Sequence, residues 1–192
     1  MARIVCIDYG IKRCGIAATD PFQIIVSAVD TIETAKLMDF LDNYLAKESV
    51  EKDEELLIVF GDTICDYDLK EVLESPYSVV GVKKVDFPSE FGVAEISSDG
   101  YIKNAVEKPK IPKSNLAFVG IYKINESTAL FKVIENDMKK ELANEEYHLT
   151  HVINEMVHQG IQIGTFQVNN WFDCGKKETL LETNAILLNK VG

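Results

Sequence analysis

The sequence lacks a long apolar segment. None of its apolar runs approaches the roughly 18 residues that indicate a membrane-spanning helix. Asp8, Lys12 and Arg13 interrupt the first apolar stretch, and this is not the pattern of a secretory signal peptide. These two observations predict a soluble, cytoplasmic protein with no membrane partner.

Cysteine and basic residues are also scarce. The four cysteines, Cys6, Cys14, Cys65 and Cys174, form no C-x-x-C pair, so they predict reduced and mostly buried thiols rather than a disulfide framework. The chain has 20 basic and 31 acidic residues, for a formal net charge of -11. Because this charge repels phosphate backbones, nucleic acid is disfavoured as a partner. An anionic small molecule would need a local basic pocket.

The apolar residues that are present suffice for a folded core, since the 192 residues are 46% hydrophobic. In the N-terminal part, apolar and β-branched runs separated by turn residues predict an antiparallel β-meander with strands at residues 3–8, 14–19 and 24–32. An apolar stripe over residues 37–45 then predicts a helix, with Thr31 or Thr34 as its N-cap.

The highly charged stretch 47–55 is the predicted boundary between two segments, 1–53 and 54–192, of one compact unit. Residues 56–60 form an apolar run typical of a central parallel strand buried on both faces. The Asp99-Gly100 pair predicts a hairpin turn. The expected fold class is α/β, with flanking helices on a mixed central sheet. Strand patterns cover 56–60, 78–85, 91–96, 101–107, 116–124 and 161–168, and helix patterns cover 68–74, 127–141, 149–159 and 177–190.

Three short motifs in the second segment carry polar groups suited to chemistry. They are Gly61-Asp62-Thr63, Glu107-Lys108-Pro109 and the run 171–175, Trp-Phe-Asp-Cys-Gly. Taken singly, Asp62 and Asp173 could be caps of the following segments, and Glu-Lys-Pro could be an exposed turn. Their combination in one chain and in this order is more specific than any of them alone.

In this order the motifs resemble the C-terminal part of glucose-1-phosphate thymidylyltransferase-like sugar nucleotidylyltransferases, over about residues 56–192. Such enzymes join a sugar phosphate to the α-phosphate of a nucleoside triphosphate, which requires neutralisation of clustered negative charge. The resemblance implies a Mg²⁺ cofactor held by Asp62 and Asp173, with Lys108 as a further catalytic residue.

The same resemblance implies a pocket for a small-molecule sugar phosphate. Without it, the residues in strand patterns would be interpreted as ordinary strand core. The implied substrate-binding residues are Gly92, Glu107, Lys108, Val119, Gly120 and Tyr122.

Two departures from this family's pattern affect the predicted function. The glycine-rich loop that holds the nucleoside triphosphate is not found upstream of Gly61. The helix motif that Glu146 opens continues as Leu149-Thr150-His151, where the family has Leu-Thr-Asp. We interpret His151 as a surface histidine without a partner, although it could instead retune the sugar site. His148 and His158 are also predicted to be surface groups, because no three-ligand spacing accompanies them.

Residues 1–52 resemble a second family, the Holliday-junction-resolvase-like nucleases of ribonuclease H fold that are implicated in ribosomal RNA processing. The matching residues run from Arg3 to Ala17 and continue in Thr19-Asp20-Pro21. The resemblance implies that Asp8 is a metal-binding carboxylate, although the later acidic residues of a two-metal nuclease site have no counterpart in the matching stretch. We further expect residues 4–8 and 56–62 to be parallel neighbours in one sheet, which would bring Asp8 beside Asp62.

Three functions follow as hypotheses. The first is a sugar-1-phosphate nucleotidylyltransferase-like protein that lacks the nucleotide loop, and is therefore inactive or binds sugar phosphate only. The second is a ribonuclease H-like nuclease, which the acidic balance disfavours. The third is a structural chimeric protein that forms homo-oligomers through exposed apolar surface.

Overall fold

The computed structural model describes residues 4–9, 12–47, 54–139, 148–174 and 177–190. Chain contacts divide the protein into two compact units, Met1–Glu51 and Lys52–Gly192. Glu146 and most of the predicted boundary stretch lie outside the described residues. In the part of the chain that is described, no helix is long and apolar enough to cross a membrane.

The first unit is an antiparallel three-stranded sheet followed by a helix, as predicted. Cys14, Ile16 and Ala18 alternate along its middle strand and are buried, which is the period-two pattern of a strand with one covered face. Glu33, rather than Thr31 or Thr34, precedes the 3-10 turn that leads into the helix, and its side chain makes no capping bond. The elements are β1 (Val5–Tyr9), β2 (Arg13–Thr19), β3 (Val26–Glu33) and α1 (Leu37–Lys47).

The second unit is built on a six-stranded mixed sheet. Its strands are β4 (Leu56–Val59), β6 (Ser78–Lys84), β7 (Gly92–Ile96), β8 (Ile102–Glu107), β9 (Leu116–Ile124) and β10 (Ile163–Gln167). They lie in the order β10-β6-β9-β7-β8, and β4 also pairs with β9. β10 runs parallel to β6, and the other described pairings of this sheet are antiparallel.

Helices and a small ribbon complete this unit. The core lies between the sheet and two helices, where Val80 and Ile124 of the sheet meet Ile153 and Met156. The helices are α2 (Leu69–Leu73), α3 (Ser127–Lys139), α4 (Leu149–His158) and α5 (Lys177–Lys190), and the ribbon consists of β5 (Thr63–Cys65) and β11 (Trp171–Asp173). The predicted fold class, a mixed central sheet with flanking helices and an N-terminal meander, is confirmed.

The prediction for residues 56–60 is wrong in both pairing and burial. β4 runs antiparallel to β9, and Leu57 and Val59 are 40% and 50% exposed. An apolar run does not reveal how many strands pair with it. The one described neighbour of β4 is β9, which lies far away in the chain and therefore leaves no trace in the local pattern.

The expected pairing of β1 with β4 is also wrong. Among the described strands, β1 pairs with β2 in one sheet, and β4 pairs with β9 in another. A meander needs only a short connection, so β1 pairs locally at a smaller loop-closure cost than a crossover would require. Asp8 and Asp62 are therefore not on neighbouring strands.

Local turn chemistry was predicted more successfully than strand pairing. In the β7–β8 hairpin, Gly100 has φ +90° and its N–H donates to the Ser97 carbonyl at 3.1 Å. Gly160 has φ +89° just beyond α4, the position at which the sequence predicts a stop.

The four cysteines are free, but the burial prediction is wrong for Cys6, which is exposed on the short meander.

Candidate functional site

The β5–β11 ribbon brings the two predicted metal ligands together in the backbone. Thr63 is the register partner of Asp173, and the N–H of Cys174 donates to the Asp62 carbonyl at 2.7 Å. The Thr63 hydroxyl donates to the Val119 carbonyl at 2.7 Å, which anchors the ribbon to β9. Asp62 and Asp173, distant in sequence, therefore occupy adjacent positions in space.

The carboxylate of Asp62 is of the kind that a hard divalent cation prefers. Asp62 is exposed, and Mg²⁺ takes carboxylate oxygens together with several retained waters. No cluster of three His, Cys, Asp or Glu side chains that could hold a metal occurs among the described residues. The metal site at this ribbon therefore stays a prediction.

A second cluster surrounds the Glu107 carboxylate at the end of β8. The hydroxyl of Thr150, in the first turn of α4, donates to Glu107 Oε2 at 2.7 Å. Glu107 Oε1 lies 3.8 Å from His148 Nδ1 and 3.9 Å from Lys108 Nζ. The carboxylate is thus held between a strand and a helix, with an exposed cation beside it.

Gly92 makes this arrangement possible because it has no side chain. It is the register partner of Glu107 across the β7–β8 hairpin. A Cβ at Gly92 would lie 2.7 Å from Glu107 Oε2 and 3.2 Å from the Phe118 ring, and it would also press against the Thr150 hydroxyl. Any other residue here would displace the carboxylate or its donor.

Phe91 connects the Glu107 cluster with the ribbon. Its carbonyl accepts the backbone N–H of Lys108 at 3.0 Å, and Lys108 adopts a left-handed φ of +41°. The ring of Phe91 packs edge-on against Trp171 of the ribbon, with centroids 5.1 Å apart. The Glu-Lys-Pro and Trp-Phe-Asp motifs are therefore neighbours in space.

The predicted residues of β9 are buried walls of this region. Tyr122 is 2% exposed, and burial, followed by the charge of Glu107, raises the pKa of its phenol. Val119 packs in a different apolar cluster, with Ile121. Gly120 has φ +81°, and a Cβ there would lie 2.9 Å from the ring of Phe60. Val119 and Tyr122 thus do not join one surface, whereas Gly92, Glu107 and Lys108 do.

The histidine predictions are corrected in part. His151 Nε2 lies 3.3 Å from Asp137 Oδ2 of α3, so this histidine has a partner that the sequence did not indicate. His148 is half-buried beside Glu107, and His158 lies 3.3 Å from Asn104 Oδ1. Their partners come from other elements, which no spacing within α4 could reveal.

Comparison with known proteins places the chain in a family. A model of the family described as "Nucleotidyl transferase" matches residues 24–190. The chain is a member of the nucleotidyl transferase family.

Two curated relatives agree with that assignment. The bifunctional protein GlmU of Methanocaldococcus jannaschii is 36% identical over 141 residues, which are 72% of this chain and 33% of that protein. The low-salt glycan biosynthesis nucleotidyltransferase Agl11 of Haloferax volcanii is 30% identical over 142 residues, 71% of this chain and 39% of that protein. The matched part of the chain thus spans between a third and two fifths of the length of these relatives.

Solved structures show the same fold. A Bacillus anthracis protein assigned as a glucose-1-phosphate thymidylyltransferase, crystallised in complex with a sucrose, matches with a TM-score of 0.59 and 30% identity, over 74% of this chain and 57% of that one. A nucleoside-diphosphate-sugar pyrophosphorylase from Vibrio cholerae matches with a TM-score of 0.61 over 78% of this chain and 63% of that one. At 16% identity, the latter supports the fold alone.

The N-terminal unit has a separate likeness. A Bacteroides fragilis protein assigned as a pre-16S rRNA nuclease is 54% identical over 52 residues, which are 27% of this chain and 38% of that protein. The nucleotidyl transferase match begins at residue 24, inside this unit.

Proposed function

We propose that this chain binds a sugar 1-phosphate through the Glu107 cluster, as a glucose-1-phosphate thymidylyltransferase-like domain that contributes the sugar side of the reaction. The observation that carries the proposal is the convergence of Gly92, Glu107 and Lys108 at one end of the β7–β8 pair, linked through Phe91 to the ribbon that bears Asp62 and Asp173. The proposal includes that about residues 56–192 correspond to the C-terminal part of such enzymes.

Each residue of the cluster has a chemical role in the proposal. Glu107 accepts hydrogen bonds from sugar hydroxyls, because an ionised carboxylate is the stronger acceptor. Lys108, whose side chain is 58% exposed, reaches the phosphate with a compact cation on a mobile stem. Gly92 leaves room for the hydrogen bond between Thr150 and Glu107, because a side chain there would occupy that space. Tyr122, whose phenol feels the charge of Glu107, supports these groups from within the core, whereas Val119 packs in a different apolar cluster.

A Mg²⁺ ion is the cofactor that the ribbon would hold. Asp62 and Asp173 would supply its carboxylate ligands, and the bound ion would neutralise phosphate charge during nucleotidyl transfer. In the absence of the ion, two aspartates near a phosphate would repel it. Metal and phosphate are therefore expected to bind cooperatively.

Transfer itself is not proposed for this chain on its own. A triphosphate needs a set of backbone and basic donors, and we infer from the sequence that residues 1–61 lack the glycine-rich loop that would provide them. We infer that sugar-phosphate binding persists without nucleotide binding.

Thermal unfolding with ligands tests this function. Glucose 1-phosphate with Mg²⁺ should raise the melting temperature, whereas dTTP with Mg²⁺ should not. Glu107→Gln and Lys108→Met should each reduce the shift strongly without removing it, and Lys103→Met, which replaces an exposed lysine of β8, is the matched control. Stabilisation by dTTP alone would show that the nucleotide side is present, and no shift with glucose 1-phosphate would overturn the proposal.

A nuclease activity is the second candidate, because of the 54% identity over 52 residues to the pre-16S rRNA nuclease relative. Asp8 would be its metal-binding carboxylate, exposed on β1. Cleavage of a structured RNA or a branched DNA that disappears in Asp8→Ala would support this activity. Cleavage that survives Asp8→Ala, or none at all, would reject it.

A further inference from the structure

Thr150 is a buried hydroxyl whose hydrogen bond ends on a carboxylate. The residue is 5% exposed in the first turn of α4, and its Oγ1 donates to Glu107 Oε2 at 2.7 Å. The side chain of Glu107 is 25% exposed, so the Thr150 hydroxyl reaches a carboxylate that is only partly open to solvent. A bond to an ionised acceptor in a partly desolvated place is stronger than the average hydrogen bond.

The two carboxylate oxygens of Glu107 differ in their surroundings. Oε2 already accepts the hydrogen bond from Thr150. Oε1 has His148 Nδ1 at 3.8 Å and Lys108 Nζ at 3.9 Å, and both distances exceed hydrogen-bond range. With respect to the residues that the structure describes, Oε1 is therefore the oxygen left to accept from a ligand hydroxyl, in the direction of the Lys108 cation.

We propose that Thr150 is a positioning residue that fixes the Glu107 carboxylate so that Oε1 faces the sugar. This inference rests on the proposed sugar-phosphate site and names a determinant of its affinity. With the Thr150 hydroxyl removed, the carboxylate rotates freely about its last bond and must be ordered by the ligand instead.

The anchor of Thr150 is rigid on both sides. Its helix is held by Ile153 and Met156, both fully buried in the core, and by the neighbouring His151 against Asp137. On the other side, Gly92 keeps the space between the hydroxyl and the carboxylate free of a side chain. A threonine is also stiff about χ1, so its hydroxyl has few alternative positions.

Calorimetric titration of the full chain with glucose 1-phosphate in the presence of Mg²⁺ tests the inference. Thr150→Val keeps the shape and removes the donor, and the Kd should rise about tenfold, the size expected for losing one such bond. Thr150→Ser keeps the donor and should stay within about twofold of the unmodified chain. Equal Kd values for Thr150→Val and the unmodified chain would overturn the positioning role.

The Glu107→Gln background separates positioning from mere structural support. If Thr150 acts through the carboxylate, Thr150→Val should add little to the Kd of Glu107→Gln. A structural defect would instead weaken sugar-phosphate binding equally in the Glu107→Gln and unmodified chains, and this result would refute the inference. If Glu107→Gln itself binds like the unmodified chain, the proposed site fails. If Glu107→Gln loses binding and Thr150→Val does not, the site stands and only the role of Thr150 is wrong.

Discussion

Replacing Gly92 with alanine would place a methyl group where Glu107 and Thr150 meet. The new Cβ would lie 2.7 Å from Glu107 Oε2, which is too close for a real contact, and 3.2 Å from the Phe118 ring, which is tighter than most carbon contacts. Overpacking costs about 1–3 kcal/mol, and loss of a hydrogen bond to a charged group costs about 1.5–3 kcal/mol. Because Glu107 is 25% exposed, the lower ends apply, and we expect a loss of about 2.5 kcal/mol in the free energy of unfolding.

Urea unfolding followed by tryptophan fluorescence measures this loss. Trp171 is the single tryptophan of the chain and packs against Phe91 next to the altered position. Gly61→Ala is the matched control, since a Cβ at Gly61 meets nothing within 4 Å, and its effect should stay within about 0.5 kcal/mol.

A Thr150→Ala background tests the cause of the loss. That variant removes the hydroxyl that the methyl group would strike, so Gly92→Ala should cost about 1.5 kcal/mol less there than in the unmodified chain. The reasoning is refuted if Gly92→Ala costs no more than Gly61→Ala, or if its cost is the same in both backgrounds.

Three further predictions concern the sheet. Gly120→Ala, at φ +81° and with its Cβ 2.9 Å from the Phe60 ring, should lose at least about 2 kcal/mol in urea unfolding, and a neutral result would contradict the steric argument. Lys123 is 1% exposed and donates to the Ser75 carbonyl at 2.7 Å. Lys123→Met should lower the free energy of unfolding by about 1–3 kcal/mol, and Lys123→Ala by about 2 kcal/mol more because it also leaves a cavity. Equal stabilities of these two variants would disprove the packing role. Burial raises the pKa of Tyr122, so the folded state keeps a proton that the unfolded state loses above about pH 10. Above that pH the free energy of unfolding should fall by up to about 1.4 kcal/mol per pH unit, and less steeply in Tyr122→Phe. Equal slopes in the two proteins would exclude this linkage.

Elements defined by local chemistry were the ones that the sequence predicted. The Asp99-Gly100 turn, the alternating Cys14, Ile16 and Ala18, and the stop at Gly160 depend on residues a few positions apart. The prediction failed for strands whose partners lie far away in the chain. Antiparallel pairing of Leu56–Val59 with the end of β9 spans more than sixty residues of chain.

Burial of the site residues was equally hard to predict. Val119 and Tyr122 belong to one apolar strand pattern, yet they pack in separate clusters. Side-chain direction alternates along a strand, and the positive φ of Gly120 lies between these two residues. The neighbours that bury each face of β9 are helices and strands from other parts of the chain, and the local sequence pattern does not identify them.

The order of the motifs and their resemblance were readable from the sequence alone, because residue identity and spacing carry them. Only the tertiary structure decided that Thr150 bonds Glu107, that His151 meets Asp137 and that Phe91 joins Trp171. Each of these contacts links side chains from different elements within a few ångströms. Their distances follow from how the sheet, helices and ribbon pack, and packing is a property of the whole unit rather than of any segment.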